Sequence, residues 1–211
     1  MISGDGSLKS RLCCGSRIWY NGNTMKKLIV FSLVPVLAGC LTASVPKVSQ
    51  WILEYEGAVR TAQVSKYDVG RVSQVLVRSP YNEIGIAVLK ADGSVAFDPY
   101  NEYAANPTAM LKGMVSDAMN ASGIFGSVVN ASSSVRSTAM VEAFFTRLVL
   151  DCRKEGSRQA SVSVVVRILG PNERVDIAKG EGVSDATDGN FGAALSAAAS
   201  SALRSAFDQL R

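Results

Sequence analysis

The sequence predicts an α+β domain in which a mixed β-sheet packs as one layer against a second layer of two main helices. Several short runs alternate apolar residues with small or polar ones, which is the period of a half-buried strand. Two segments, 106–119 and 189–210, instead carry apolar residues at helical spacing. The order is therefore strands, a helix, more strands and a closing helix, which favours two helices laid on one sheet.

The strands before the first helix follow from local breaks in the chain. Residues 51–56 are predicted to form the first strand, and residues 72–77 form the second, which ends at Ser79-Pro80. A third run, 84–88, alternates apolar and small residues. Asp92-Gly93 then separates it from Val95-Ala96-Phe97, and Asp-Gly between two such runs is a strong hairpin signal.

The first helix has a start and a stop signal in the sequence. Asn106 suits the N-cap and Pro107 the first helical position, while Gly123 suits the left-handed residue after the last turn. Residues 124–129 are expected to return as a strand.

The second half of the chain predicts two longer strands and the closing helix. Residues 160–168 are strand-like and are expected near the middle of the sheet. Gly170-Pro171-Asn172 turns the chain into a partner strand over 175–183. The closing helix, 189–210, is rich in alanine, which permits a close approach to the sheet.

The segment before the domain resembles the export signal of a bacterial lipoprotein. Met25-Lys26-Lys27 precedes an apolar run of eleven residues, 28–38, which is too short to span a bilayer. Leu37-Ala38-Gly39-Cys40 resembles a lipobox. We therefore expect four regions, listed in chain order: a non-structural lead over 1–24, a signal peptide over 25–39, a lipidated tether over 40–50 and a single domain over 51–211. Translation could start at Met1 or Met25.

The lipobox resemblance implies cleavage before Cys40 and acylation of its sulfur and new amino group. Two or more acyl chains anchor a protein stably, whereas one does so marginally. Leu41 stands where an aspartate would commonly signal inner-membrane retention. We therefore expect a lipid-anchored protein on the periplasmic face of the outer membrane of a Gram-negative bacterium.

Charge and composition exclude several classes of function. Residues 1–39 hold five of the 22 lysines and arginines and one of the 18 acids, so residues 40–211 carry 17 of each and no net charge. A nucleic-acid partner, which requires a basic surface, is not expected. Without histidine, the usual triads and His-containing zinc sites are excluded as well. We expect no catalytic residue, no cofactor and no metal. Cys152 is interpreted as a small buried apolar residue, with a reactive or intermolecular thiol as the alternative.

Four other groups of residues have an ordinary structural interpretation. Lys179-Gly180-Glu181-Gly182 lacks the setting of a phosphate loop and is expected at a strand end or bulge. Asp185, Asp188 and Asn190 could approach a cation, but capping of the last helix by Asp188 or Asn190 is preferred. Glu54 and Glu56 could form half of a paired-carboxylate acid/base site, but any exposed strand face has the same pattern and the sequence supplies no second half. The remaining group, Phe97, Tyr100 and Tyr103, is expected in a loop before the first helix, either as a partner-binding cluster or packed as core.

The order of elements resembles the auxiliary lipoprotein component of ABC-type lipid transport systems, the PqiC-like family that accompanies MCE-domain proteins. The resemblance rests on the lipobox at Cys40, on the loop leading into Asn106-Pro107-Thr108-Ala109-Met110-Leu111, and on Gly123-Ile124-Phe125-Gly126-Ser127-Val128 after the helix. Tyr100 or Tyr103 stands where the family has a tryptophan. The resemblance implies docking to MCE-domain or ABC transporter proteins, and self-association is also expected. The alternative is an outer-membrane activator of a cell-wall synthase or another envelope-assembly factor.

Overall fold

The computed structural model describes residues 47–58 and 65–211, and these belong to one compact unit, Pro46–Arg211. The expected lead over 1–24, the signal peptide over 25–39 and the lipidation site Cys40 lie outside the described residues. The described residues of this unit form eight strands, two helices and a short 3₁₀ turn. In chain order they are β1 (Ser49–Trp51), β2 (Tyr67–Val77), β3 (Gly85–Leu89), β4 (Val95–Tyr103), α1 (Pro107–Ser122), β5 (Phe125–Val129), β6 (Ala139–Asp151), β7 (Gln159–Leu169), the 3₁₀ turn (Pro171–Glu173), β8 (Val175–Asp185) and α2 (Phe191–Gln209).

The strands form one mixed sheet centred on β6, which confirms the predicted α+β class. On one side of β6 lie β2 and β3, both parallel to it and placed end to end, with β5 beyond β2, and β4 then β1 beyond β3. On its other side lies β7, antiparallel, followed by β8. The strand 160–168, expected near the middle, is thus next to the outermost strand. The central position belongs to β6, because its thirteen residues are long enough to pair with three neighbours.

Both helices pack on the same face of the sheet, α1 over β2 and β5 and α2 over β7 and β8. The predicted caps of α1 are confirmed. The side-chain oxygen of Asn106 accepts a hydrogen bond from the backbone N–H of Thr108 at 2.9 Å, and Gly123 has a φ of 71°. That positive φ suits a residue without a Cβ. The hairpin at Asp92-Gly93 is confirmed too, with Gly93 at a φ of 82°.

The contact between α2 and β8 is close enough to require glycine in the strand. A Cβ placed on Gly180 would lie 1.9 Å from the carbonyl oxygen of Ala202, and one on Gly182 would lie 1.9 Å from that of Ala198. Helix backbone therefore rests directly on strand backbone. This confirms the close approach expected from the alanine-rich helix. The two glycines lie in the middle of β8, in regular register with β7, and not at the strand end or bulge expected from the sequence.

The first strand is shorter than predicted. It ends at Trp51, and residues 52–58 continue as an extended segment that lies along α2. The backbone N–H groups of Glu54 and Glu56 donate to the hydroxyls of Ser196 and Ser200, at 3.1 and 2.8 Å. The backbone is therefore bonded to helix side chains instead of to another strand. Immediately before these two bonds Leu53 is buried in the core.

Within the described part of the chain, neither helix combines the length and apolar character needed to cross a membrane.

Candidate docking surface

The predicted aromatic cluster lies on a strand and not in a loop. β4 continues to Tyr103, and between the pairs Ala87–Phe97 and Gly85–Glu102 it bulges outward. Asp98 stabilises the bulge, because its carboxylate accepts from the backbone N–H of Tyr100 at 2.8 Å and from the amide of Asn101 at 3.0 Å. The sequence Asp98-Pro99 favours a loop locally, but β1 pairs with the far side of this bulged strand and keeps it in the sheet.

The three aromatic residues of this cluster have different environments. Phe97 and Tyr100 are 44% and 53% exposed, whereas Tyr103 is 2% exposed. Burial raises the pKa of Tyr103 above its ordinary value, and its hydroxyl has no hydrogen-bond partner among the described residues. Tyr103 therefore packs as core. Partner binding stays a prediction for Phe97 and Tyr100, which reach the surface.

The sheet face that the helices leave uncovered carries a row of apolar side chains. Leu76 of β2 pairs with Phe144 of β6, which in turn pairs with Val165 of β7. Directly opposed residues project from the same face of a sheet, so the three side chains are neighbours. Leu76 is 47% and Phe144 40% exposed. We call this surface the open face. Met140, Ile177 and Val183 are other exposed apolar residues that project from it.

A depression of about 350 Å³ lies over this row. Its polar border is an ion pair in which Arg167 of β7 donates to the carboxylate of Glu142 of β6 at 3.1 Å. Gln74, opposite Glu142 on β2, extends the border. An apolar floor with a few polar groups at its margin is the usual composition of a surface that binds a ligand or another protein.

The exposed phenylalanine of β4 projects from this same open face. Ile86 and Val88 of β3 belong to the core or pack against it, so Ala87 between them points away from the helices. Phe97 is directly opposite Ala87 and shares its direction. A Cβ on Gly85 would lie 3.2 Å from the Phe97 side chain, which shows that the ring lies over this glycine. The predicted residue thus extends the apolar open face towards β4.

The strongest electrostatic cluster of the described residues lies on the opposite, helix-covered side. Asp176 of β8 forms an ion pair with Lys66 at 2.9 Å and accepts from the hydroxyl of Tyr67 at 2.8 Å. These two partners lower the pKa of Asp176 to about 2, and burial together with the bond to Asp176 raises that of Tyr67 to about 12. Lys66 also donates to the carbonyl of Leu210 at 2.9 Å. The cluster therefore ties the end of α2 to the sheet, which is a structural role.

The polar residues singled out in the sequence are separated by the fold. Asp188 forms an ion pair with Arg158. Asn190 is the N-cap residue of α2, as expected, but its side-chain oxygen accepts from the N–H of Thr187 at 2.7 Å and makes no bond to the helix. Asp185 accepts from the Gln159 amide at 3.0 Å. Over residues 47–58 and 65–211, no three Cys, Asp or Glu side chains are grouped as metal ligands.

The free cysteine of the described chain is half-buried. Burial raises the pKa of the Cys152 thiol, which disfavours the nucleophilic thiolate. The neighbouring carboxylate, Asp151, is held by Arg153 at 2.7 Å and by Arg147 at 3.0 Å, and these arginines lower its pKa.

Sequence reasoning did not identify Leu76, Phe144 and Val165 as surface residues. Each stands in an apolar run beside a core residue, Val75, Phe145 and Val164 or Val166 respectively, so hydrophobicity alone gives both the same interpretation. The signal that distinguishes them is a polar residue two positions away on the same strand and therefore on the same face. These polar residues are Gln74, Glu142 and Arg167. Those charged residues mark the face that water reaches.

The fold is shared with solved structures. A crystal structure of a Xanthomonas campestris protein, described with the family model DUF330, matches with a TM-score of 0.58 at 20% identity, over 77% of this chain and 92% of that one. The crystal structure of an uncharacterized protein matches with a TM-score of 0.57 at 12% identity, over 75% of this chain and 100% of that one. No protein-family model matches the sequence, and no curated protein does. At these identities the likeness concerns the fold alone.

Proposed function

We propose that this protein is a lipid-anchored docking component of an intermembrane lipid transport system, attached through Cys40 to the periplasmic face of the outer membrane. The observation that carries the docking role is the open face, where Leu76, Phe144 and Phe97 are each at least 40% exposed. The lipobox and the PqiC-like order of elements support the cellular setting. The role is that of a binding protein and not of an enzyme.

The short tether supports a position close to the bilayer. Cys40 is separated from Lys47, the first described residue, by seven peptide units, which span at most about 25 Å in any conformation. Residues 49–56 are held in place, first in β1 against β4 and then by the bonds of Glu54 and Glu56 to α2. A partner that docks on the domain would therefore be held within a few tens of ångströms of the membrane surface.

Anchoring is tested by mass spectrometry and fractionation. Acylation predicts a peptide that starts at Cys40 and carries acyl chains, and Cys40→Ala is expected to release the protein from the outer-membrane fraction or to prevent its maturation. A Cys152→Ala variant serves as the matched control, because it removes a thiol without touching the lipobox. If the Cys40→Ala variant matures and fractionates as before, the anchor assignment is wrong.

Docking is tested by cross-linking in intact membranes followed by identification of the captured protein. The double variants Leu76→Ala/Phe144→Ala and Phe97→Ala/Tyr100→Ala are expected to reduce capture of an MCE-domain or ABC transporter protein about tenfold or more, with the circular-dichroism spectrum unchanged. Lys112→Ala/Asn120→Ala changes two exposed residues of α1 and should leave capture intact. A cell-wall synthase captured through the same residues would replace transport by the activator role. Capture unaffected by both open-face variants would refute docking at this surface.

A further inference from the structure

The outermost strand β8 has an unpaired edge along its whole length. Within the described chain it is bonded to β7 on one side only, and the pairing with β7 covers all eleven of its residues. The side chain of Ala178 is buried, and a Cβ on Gly180 or Gly182 would point into α2, so the odd-numbered residues project from the open face. Edge strands of this length are places where another strand can add.

The backbone groups of these odd-numbered residues point away from β7. Just beyond the two ends of β8, the N–H of Gly170 donates to the carbonyl of Arg174 and the N–H of Ala186 to the carbonyl of Arg158. In an antiparallel pair bonded and non-bonded residues alternate, so the even-numbered residues of β8 are bonded to β7 and the odd-numbered ones face away from it. The amide of Gln209 accordingly donates to the outward-facing carbonyl of Lys179 at 2.7 Å. Backbone groups alternate sides along a strand, so the N–H and C=O groups of Ile177, Glu181 and Val183 share that direction. A carbonyl oxygen has two lone pairs, and the bond from Gln209 leaves one of them for an incoming strand.

The side chains along this edge form a self-complementary series. Residues at equal distances on either side of Gly180 have complementary side chains. Lys179 corresponds to Glu181, and Ile177 corresponds to Val183. Ile177 and Val183 are 57% and 58% exposed, and Lys179 and Glu181 are exposed and form no ion pair within the described chain. The outermost match, Val175 with Asp185, adds neither apolar contact nor opposite charge.

From this series we infer that two copies of the protein associate through antiparallel pairing of their β8 strands about a two-fold axis at Gly180. The pairing places Lys179 of one copy directly opposite Glu181 of the other, twice, and Ile177 opposite Val183, twice. All four of these are pairs whose backbone groups face each other, as an antiparallel ladder requires. An isologous contact of this kind closes on itself and gives a dimer.

The geometry has a consequence for the open face. The two-fold axis of an antiparallel strand pair is perpendicular to the sheet, so both helix layers lie on one side and both open faces on the other. The apolar rows around Phe144 in the two copies would thus belong to one continuous sheet surface. The dimer would present a docking surface twice as wide as that of one copy.

Charge reversal tests the pairing on the full lipid-modified chain in detergent, with the dissociation constant measured by sedimentation. Each reversal acts at two symmetric positions and places like charges opposite each other, so Lys179→Glu alone and Glu181→Lys alone should each weaken the dimer about tenfold or more. The double reversal restores both pairs and should return the dissociation constant to near that of the unmodified chain. Lys112→Glu on α1 is the control of equal charge change. The inference is overturned if the unmodified chain is monomeric, or if the single reversals do not change its association. It is also overturned if the double reversal does not restore the association.

Cross-linking with a short thiol reagent provides a test that is independent of affinity. A chain carrying both Ile177→Cys and Val183→Cys should give cross-linked dimers. Each single substitution should not, because the two copies of position 177 lie six residues apart along the paired strands, about 20 Å. All three variants also contain Cys152, and the unmodified chain shows how much cross-linking Cys152 produces by itself. Equal cross-linking by the single variants would contradict the proposed register.

Discussion

On the helix-covered face of the sheet, alanine, glycine and valine let α2 approach the backbone of β8, and the core side chains beneath it are almost completely buried. On the open face the same strands carry an apolar row, but nothing among the described residues covers Leu76 or Phe144. The two faces are made by alternate residues of the same strands. Apolar residues on the helix-covered face therefore stabilise the fold, whereas those on the open face are available for a partner.

Two adjacent phenylalanines of β6 measure this difference most directly. Phe145 is 0% and Phe144 40% exposed. Phe145→Ala should lower the free energy of unfolding by about 3–5 kcal/mol, because it leaves a large cavity under the helices. Phe144→Ala, the same chemical change one residue away, should cost about 1 kcal/mol or less. Urea unfolding followed by circular dichroism gives both values. Equal losses would mean that the open face is covered.

A second contrast concerns glycines. A Cβ on Gly182 would lie 1.9 Å from the Ala198 carbonyl oxygen, so Gly182→Ala must push α2 away from β8 and should destabilise the protein by about 3 kcal/mol. Gly113 of α1 has nothing within 4 Å of the corresponding position. Gly113→Ala should therefore stabilise by about 0.5–1 kcal/mol, since alanine favours the helix. Melting temperatures that move in the same direction for both variants would contradict the close helix–strand contact.

The features predicted correctly from the sequence are those decided by neighbouring residues. Asn106 caps the start of α1 through a bond to Thr108, two residues away, and Gly123 ends the helix through its own backbone angle. Asp92-Gly93 closes its hairpin locally. The early end of β1 depends instead on Ser196 and Ser200, about 140 residues away in the chain. A local pattern carries no information on such distant partners. The extension of β4 past Asp98-Pro99 likewise depends on β1, which pairs with it from a distant part of the sequence.

The docking surface was predicted only in part. Phe97 and Tyr100 are exposed as a binding cluster requires, but Tyr103 is core because the bulge at Asp98 changes the alternation of β4. The central apolar row was not predicted. Val164, Val165 and Val166 have the same side chain, and only the alternation of the strand, with Arg167 on the face of Val165, separates Val165 from its two buried neighbours.

The smallest expected effect compares one ion pair from each face as the pH falls. Asp176, under the end of α2, has its pKa lowered from 3.8 to about 2 by Lys66 and Tyr67. A carboxylate with a lowered folded-state pKa stabilises the protein above its unfolded-state pKa and loses that contribution as the pH falls towards the folded value. Asp176 should therefore contribute about 1–2 kcal/mol at neutral pH, lost between about pH 4 and 2.

Asp176→Asn tests this contribution, because it keeps the size of the side chain and removes its titration. The variant should be less stable than the unmodified protein at pH 7, and the difference should shrink as the pH approaches 2. Glu142→Gln on the open face is the control, since its pair with Arg167 is 31% and 50% exposed and such pairs contribute about 0–1 kcal/mol. Unfolding free energies measured at several pH values decide the comparison. A stability difference for Asp176→Asn that is independent of pH would show that Lys66 and Tyr67 stabilise the end of α2 without the charge of Asp176.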